Sequence, residues 1–167
     1  MATACLGLGS NLGERPRNLT RAAEAIATIA GVRVLAIADT IETPPMGPQD
    51  QGPFLNTALT LETALEPIEL HTHLQQIETE LGRLPRDQRR HWGPRLIDID
   101  LLLYGERVIQ TDRLTVPHPG MHVRDFVLRP LAQIAPDTRH PVLDQTVAEL
   151  LAALERQTTP QIGASDG

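Results

Sequence analysis

The sequence predicts an α+β fold with the element order β-α-β-β-α-β. Three observations carry that expectation: segments that alternate apolar and polar, segments whose apolar residues recur every three or four positions, and the order in which the two kinds follow one another. From Ala4 to Gly9, Leu6 and Leu8 lie on one side and Cys5, Gly7 and Gly9 on the other, a first strand. Leu19, Ala22, Ala23, Ile26 and Ala30 then fall at helical spacing, with Pro16 suited to the first turn and Gly31 closing the helix. Val32–Thr43 is apolar and rich in β-branched residues, a second strand, and runs into a loop of Pro, Gly and polar residues, Pro44–Pro53. Phe54–Thr63 alternates again, with Leu55, Thr57, Leu59 and Leu61 facing one way. Pro67 opens a second helix whose stripe is Leu70, Leu74, Ile77 and Leu81. After an arginine-rich loop, Gly82 to about Arg95, a fourth strand is marked by Ile97, Ile99, Leu101 and Leu103.

That order is the ferredoxin-like arrangement, an antiparallel sheet with two helices packed on one face. A short hairpin is expected around Gly105, then a loop over Thr111–Asp125 and short helices near Leu128–Ile134 and Val147–Arg156. Residues 1–157 are expected to form a single domain and 158–167 a disordered tail.

Composition narrows the function classes. The chain has 167 residues and a net charge of −6, which argues against a general nucleic-acid surface. All fifteen basic residues are arginine, so a P-loop lysine and Schiff-base chemistry are excluded. Codon usage in a GC-rich genome explains the missing lysine, but not the placement of Arg83, Arg86, Arg89, Arg90 and Arg95 within one loop. Forked guanidinium groups clustered there suit phosphate or carboxylate. One cysteine, Cys5, precludes an internal disulfide and a Cys-based zinc cluster. No apolar run approaches the ~20 residues of a membrane span, and no basic-then-apolar leader opens the sequence. The expectations are a cytoplasmic protein, without membrane or nucleic-acid partners, and a monomer.

The strand pattern also separates the two sheet faces. If the leucine and isoleucine faces meet the helices, the other face carries Gly7, Gly9, Phe54, Asn56, Asp98 and Asp100. A merely solvated face would carry Lys, Glu and Thr, whereas glycine in a strand often marks close approach by a ligand. This face is read as an open binding surface. Asp98 and Asp100 lie two apart, so their carboxylates point the same way, about 6.5–7 Å apart along the chain. Hard cations such as Mg²⁺ take one or two carboxylates plus substrate phosphates, and two ions about 3.5–4 Å apart can share such a pair. The plainer reading is the polar side of a half-exposed strand; like charges beside each other without a partner make it costly. Both residues are therefore candidate Mg²⁺ ligands for phosphoryl-type transfer from a nucleotide.

The chain has four aromatics, and Phe54, Trp92 and Phe126 fall on the open face or in arginine-containing loops rather than on the leucine faces. Flat rings there suit stacking on a planar heterocycle, against the alternative that they plug gaps in the core. G-L-G-S-N-L-G lacks dinucleotide-fingerprint spacing. His71 and His73, two apart on a helix, cannot share a face and are expected at the surface. A phosphate contact by His118, close to Arg113 and Arg124, is favoured over a metal site with His122.

At these residues a family resemblance enters. H-W-G-P-R-L-I-D-I-D-L-L (His91–Leu102) resembles the motif of 6-hydroxymethyl-7,8-dihydropterin pyrophosphokinases, enzymes of folate biosynthesis. G-L-G-S-N-L-G, E-T-P-P-M-G-P-Q-D-Q-G-P-F-L-N (Glu42–Asn56) and L-T-V-P-H-P-G-M-H-V-R-D-F-V-L-R-P-L (Leu114–Leu131) follow the same pattern in order. The resemblance covers residues 4 to about 137.

It implies that ATP gives its terminal pyrophosphoryl group to the hydroxymethyl oxygen of the dihydropterin, with attack at the β-phosphorus and release of AMP. By position, Asp98 and Asp100 would bind two Mg²⁺ ions. Thr43, Pro44, Met46 and Asn56 would hold the pterin edge, and Phe54 and Phe126 would sandwich its ring. Arg83 and Arg95, with Arg124, would neutralise phosphate charge. Gln75, Glu78, Trp92, Leu101, Arg113, Thr115 and His118 would shape the nucleotide site, to which Arg95 and Arg124 also belong. Catalysis would rest on positioning and electrostatics rather than a general base. Competing readings are a phosphohydrolase with Asp98 as nucleophile, and a ferredoxin-like regulatory module that binds a small molecule without chemistry. A ferredoxin-like RNA binder is disfavoured by charge.

Overall fold

A computed structural model describes residues 1–44, 52–82 and 96–158. In chain order the elements are β1 (Ala2–Ser10), α1 (Arg15–Ala27), β2 (Val32–Ile37), β3 (Ile41–Thr43), β4 (Phe54–Thr63), α2 (Pro67–Glu80), β5 (Asp98–Tyr104), β6 (Ile109–Gln110), β7 (Thr115–Val116), a 3₁₀ turn (Met121–Val123), α3 (Asp125–Ile134), β8 (Arg139–His140), β9 (Gln145–Thr146) and α4 (Val147–Thr158). Since α4 runs to Thr158, only the remainder of the expected disordered tail, 159–167, lies outside the described residues. No described helix is long and apolar enough to cross a membrane.

The helices begin where local chemistry allows. Pro67 occupies the first turn of α2, where its missing N–H leaves no bond unmade, and Glu66 and Glu69 form a reciprocal capping box. The Glu66 amide donates to Glu69 Oε1 at 3.0 Å. Leu70, Leu74 and Ile77 form the buried stripe of α2, and Leu19, Ala22 and Ile26 that of α1.

The main sheet has the order β2-β4-β1-β5, with every neighbouring pair antiparallel and β3 added beside β4. The β1 and β2 strands thus run parallel with β4 between them, and β4 and β5 run parallel with β1 between them. The expected single strand Val32–Thr43 is two strands. Val32–Ile37 pairs with the far half of β4 and Ile41–Thr43 with its near half, while the Ala38 amide bonds the Ala58 carbonyl between them at 2.9 Å. Gly105 makes a turn, with φ of 52°, but the hairpin beyond it is β6 with β7 and not a return along β5.

One expectation is corrected by the packing. Helices cover both faces of the sheet. Leu19, Ala22, Ile26, Leu70, Leu74 and Ile77 bury one face with Leu6, Leu8, Leu59, Leu61, Ile99 and Leu101. On the other, Cys5, Ala58, Leu102 and Leu103 pack under Leu128 and Leu131 of α3 and Val147, Leu150 and Leu154 of α4. A bulge in β5 makes this possible. Leu6 faces Leu101 and Cys5 faces Leu103, so Leu102 is an extra residue. Strict alternation would have left Leu103 on the Leu101 side; the bulge turns both Leu102 and Leu103 toward α3 and α4 and returns Tyr104 to the first core. Burial of each such leucine contributes roughly 1.5–3 kcal/mol. The face expected to be open is therefore partly covered, over Cys5, Ala58, Leu102 and Leu103, while Asp100 nearer the start of β5 is exposed.

Candidate active site

Antiparallel register assembles the polar end of the sheet. One row across it reads Ile41, Asn56, Gly9, Asp98; the next reads Ala58, Gly7, Asp100; and Phe54 is opposite Thr43 at the outer end. Residues directly opposite one another share a face. Thr43, Phe54, Asn56, Asp98 and Asp100, drawn from β3, β4 and β5, therefore lie on one surface with two glycines of β1 between them.

Gly9 is required there by space. A Cβ at that position would lie 2.8 Å from Asn56 Oδ1 and 3.5 Å from Phe54 Cδ1. At Gly7 the nearest atom, Leu102 Cδ1, would be at an ordinary 3.5 Å. Asn56 is only 7% exposed, and its Nδ2 donates to Thr43 Oγ1 at 2.7 Å. Asp98 is half-buried and Asp100 exposed. Ile99 between them is buried in the first core, and its amide donates to Glu78 Oε2 of α2 at 2.7 Å.

A second wall comes from the segment after β7. The His118 amide donates to the Leu102 carbonyl at 2.9 Å, tying the segment to β5. Its Nδ1 accepts the Gly120 amide at 3.2 Å, which leaves the ring proton on Nε2. Burial, and then the Arg124 guanidinium, lower the His118 pKa to about 4, so the ring is neutral at pH 7. Arg124 lies over Gly120, where a Cβ would stand 2.9 Å from its Nε, and its Cζ is 6.0 Å from the centre of the Phe126 ring. Phe126 sits in the first turn of α3, partly buried against the second core.

The start of α1 holds the two ends of the loop between β3 and β4. Arg15 Nη1 donates to the Pro53 carbonyl at 2.9 Å and Nη2 to Glu42 Oε2 at 2.9 Å, while Asn11 Nδ2 reaches the Gly52 carbonyl at 3.3 Å. Pro44, directly after β3, is exposed.

On the α2 side, Gln75, Arg113 and Thr115 are exposed, and Arg113 Nη2 comes within 3.5 Å of Thr72 Oγ1. Two residues read as nucleotide-site residues stand elsewhere than a ligand-facing side chain requires. Leu101 is 4% exposed in the core under α1 and α2, so only its backbone is available to a ligand. Glu78 is 5% exposed and turned to the β5 backbone. Met46, Arg83, Trp92 and Arg95 lie outside the described residues. His71, expected at the surface, is half-buried; burial and Arg113 lower its pKa, and Asp100 opposes them. The signal for it was its spacing: His71, Gln75 and Glu78 fall at i, i+4 and i+7, one stripe of α2. Nothing in the sequence pointed to Arg15.

Among the described residues no group of three or more His, Cys, Asp or Glu could hold a metal ion by itself. The donor set, two carboxylates beside side-chain-free glycines, is hard and incomplete. That fits Mg²⁺, which keeps waters and takes substrate phosphates in addition to one or two carboxylates.

Comparison with known proteins points to one family. Residues 5–136 match the family described as 7,8-dihydro-6-hydroxymethylpterin-pyrophosphokinase. The chain is 41% identical over 151 residues to the 2-amino-4-hydroxy-6-hydroxymethyldihydropteridine pyrophosphokinase of Haemophilus influenzae, covering 90% of this chain and 92% of that protein. It is 47% identical over 131 residues to the Bacillus subtilis protein of the same name, covering 78% and 77%. It also matches the folic acid synthesis protein fol1 of Schizosaccharomyces pombe at 40% identity, over 92% of this chain but 21% of that longer one. Among solved structures, a Plasmodium falciparum HPPK-DHPS superposes with a TM-score of 0.75 at 14% identity, over 96% of this chain and 44% of the other, a likeness of fold. With the family match spanning most of the sequence and two bacterial relatives above 40% identity over more than three quarters of each chain, the chain belongs to the 7,8-dihydro-6-hydroxymethylpterin pyrophosphokinase family.

Proposed function

We propose that this chain transfers the pyrophosphoryl group of ATP to the hydroxymethyl oxygen of 6-hydroxymethyl-7,8-dihydropterin in folate biosynthesis, giving AMP and the dihydropterin diphosphate. The observation that carries this reading is the row Asn56, Gly9, Asp98: an ordered amide donor and acceptor beside a carboxylate pair, with a glycine between them. In the reaction an O–P bond forms from the hydroxymethyl oxygen to the β-phosphorus. The bond from that phosphorus to the α,β-bridging oxygen breaks, and the hydroxyl proton leaves to solvent.

The chain's residues act by binding and orientation. Thr43 holds the Asn56 amide so that it meets the pterin edge, with Pro44 and Met46 completing that edge from the loop. Phe54 and Phe126 take the two faces of the ring. Asp98 and Asp100 would hold two Mg²⁺ ions, whose chemistry when bound would be to offset triphosphate charge and make the attacking hydroxyl more acidic. Arg83, Arg95 and Arg124 take phosphate charge. The neutral His118 donates from Nε2 to a phosphate oxygen, and Gln75, Trp92, Arg113, Thr115 and the Leu101 backbone border the nucleotide. The interleaved strand order supports a ferredoxin-like core; residues 1–157 are proposed to act as one cytoplasmic, monomeric enzyme domain.

The test is AMP formation. AMP and dihydropterin diphosphate are expected in equal amounts, only when ATP, Mg²⁺ and the dihydropterin are all present. Asp98→Ala and Asp100→Ala should each lower turnover by several orders of magnitude. Release of inorganic phosphate from ATP without the pterin would favour a hydrolase and overturn the reading.

A further inference from the structure

A buried carboxylate on an apolar helix stripe is costly unless something bonds it. Glu78 is 5% exposed and lies beside Leu74 and Ile77 on the core side of α2. Among the described residues β5 is the end strand of the sheet, and no described strand pairs with the amides on its outer side. At Ile99 the acceptor that a neighbouring strand would have provided is Glu78 Oε2, at 2.7 Å. Ile99 is the single residue between Asp98 and Asp100. Its side chain is fixed in the core at 6% exposure, and its neighbours are paired to Gly9 and Gly7 of β1. Its peptide is therefore anchored on three sides, and the anchor on the outer side is one side chain of α2.

We infer that Glu78 is a positioning residue for the carboxylate pair: by accepting the Ile99 amide, it sets the pleat that aims Asp98 and Asp100 at a common metal–phosphate site. This differs from a direct nucleotide contact, and it rests on the metal-binding reading above. Outer partners of metal ligands act in this way, and their loss costs about 10- to 100-fold in metal affinity or activity. A carboxylate suits the task at this site because α2 packs against β5 there and the Ile99 amide must be satisfied.

Three variants separate the possibilities. Glu78→Gln keeps an acceptor at the same reach. Glu78→Met keeps length without an acceptor. Glu78→Asp keeps charge but withdraws the acceptor by one methylene. Amide hydrogen exchange at Ile99 and calorimetric affinity for Mg²⁺ with a non-hydrolysable ATP analogue are the readouts beside activity. Met and Asp variants should lose Ile99 protection and bind the Mg²⁺–analogue pair about 10- to 100-fold more weakly. They should lower kcat while leaving dihydropterin affinity near that of the parent. Gln should restore Ile99 protection and most of the affinity. If Glu78→Met fails to fold, Glu78→Asp carries the same comparison. Ile99 protection and Mg²⁺–analogue affinity unchanged in both Met and Asp variants would overturn the inference, as would a Gln variant as defective as Met. A parent enzyme that makes no Mg²⁺-dependent AMP would instead refute the underlying functional reading.

Discussion

Asn56 Nδ2 donates to Thr43 Oγ1 at 2.7 Å, joining adjacent strands through side chains on the face where the pterin is proposed to bind. With its NH₂ so engaged and its side chain almost fully buried, Asn56 presents its amide in one orientation. Thr43→Val keeps the shape and removes the acceptor. Leaving the amide without this partner should cost about 1–3 kcal/mol of stability, roughly 2–4 °C of Tm per kcal/mol in a chain this size. Pterin affinity should fall while ATP affinity holds. Calorimetry with each substrate and a thermal melt check both parts.

Gly9 and Gly7 should respond differently to the same change. Gly9→Ala places a methyl 2.8 Å from Asn56 Oδ1, and Asn56 has nowhere to go while bonded to Thr43. Pterin binding should weaken by roughly tenfold, about 1.4 kcal/mol. Gly7→Ala meets only Leu102 at van der Waals distance and should fold and bind pterin as the parent does. Equal effects at the two positions would remove the steric account of Gly9.

The proposed pterin clamp predicts selectivity. Stacking contributes about 0.5–1.5 kcal/mol per ring beyond burial. Phe54→Leu or Phe126→Leu should therefore weaken pterin binding roughly threefold to tenfold, and alanine should cost more. ATP binding alone should change little. Loss of both affinities together would point to collapse of the site, and no loss for pterin would take the clamp out of the scheme.

His118 sets a pH dependence. Its folded pKa of about 4 lies below the ordinary 6.5, because burial and Arg124 disfavour the cation. The unfolded chain then binds a proton on falling through pH 6.5 while the folded chain stays neutral until about 4. The contribution of the neutral ring to stability is present above pH 6.5 and declines progressively from there to pH 4. His118→Gln should flatten the fall of Tm across that window. An identical Tm-versus-pH curve for parent and variant would show that His118 is not responsible.

Much of this molecule was legible from local pattern. Alternation in Ala4–Gly9 and Phe54–Thr63 marked β1 and β4, and the stripes Leu19–Ile26 and Leu70–Ile77 marked α1 and α2, because both periods follow from backbone geometry alone. The pair Asp98 and Asp100 was legible for the same reason: two residues apart on a strand means one face. The two short C-terminal helices were also expected near where α3 and α4 lie.

What the sequence by itself determined, then, is whatever depends on neighbours along the chain: the elements, their apolar faces, the carboxylate pair and the motif order that carries the family. Tertiary structure alone decided the rest. The bulge at Leu102 turns two leucines toward α3 and α4, because strand register is set by the partner strand. The same register puts Gly9 between Asn56 and Asp98, residues more than forty positions apart. Glu78 belongs to the β5 backbone for a similar reason: the amide it satisfies lies on the outer side of β5, the end strand of the sheet among the described residues. Arg15 reaches Glu42 and Pro53 only once α1 has packed beside the sheet. None of these is written in spacing, since each is a distance between segments whose separation only folding removes.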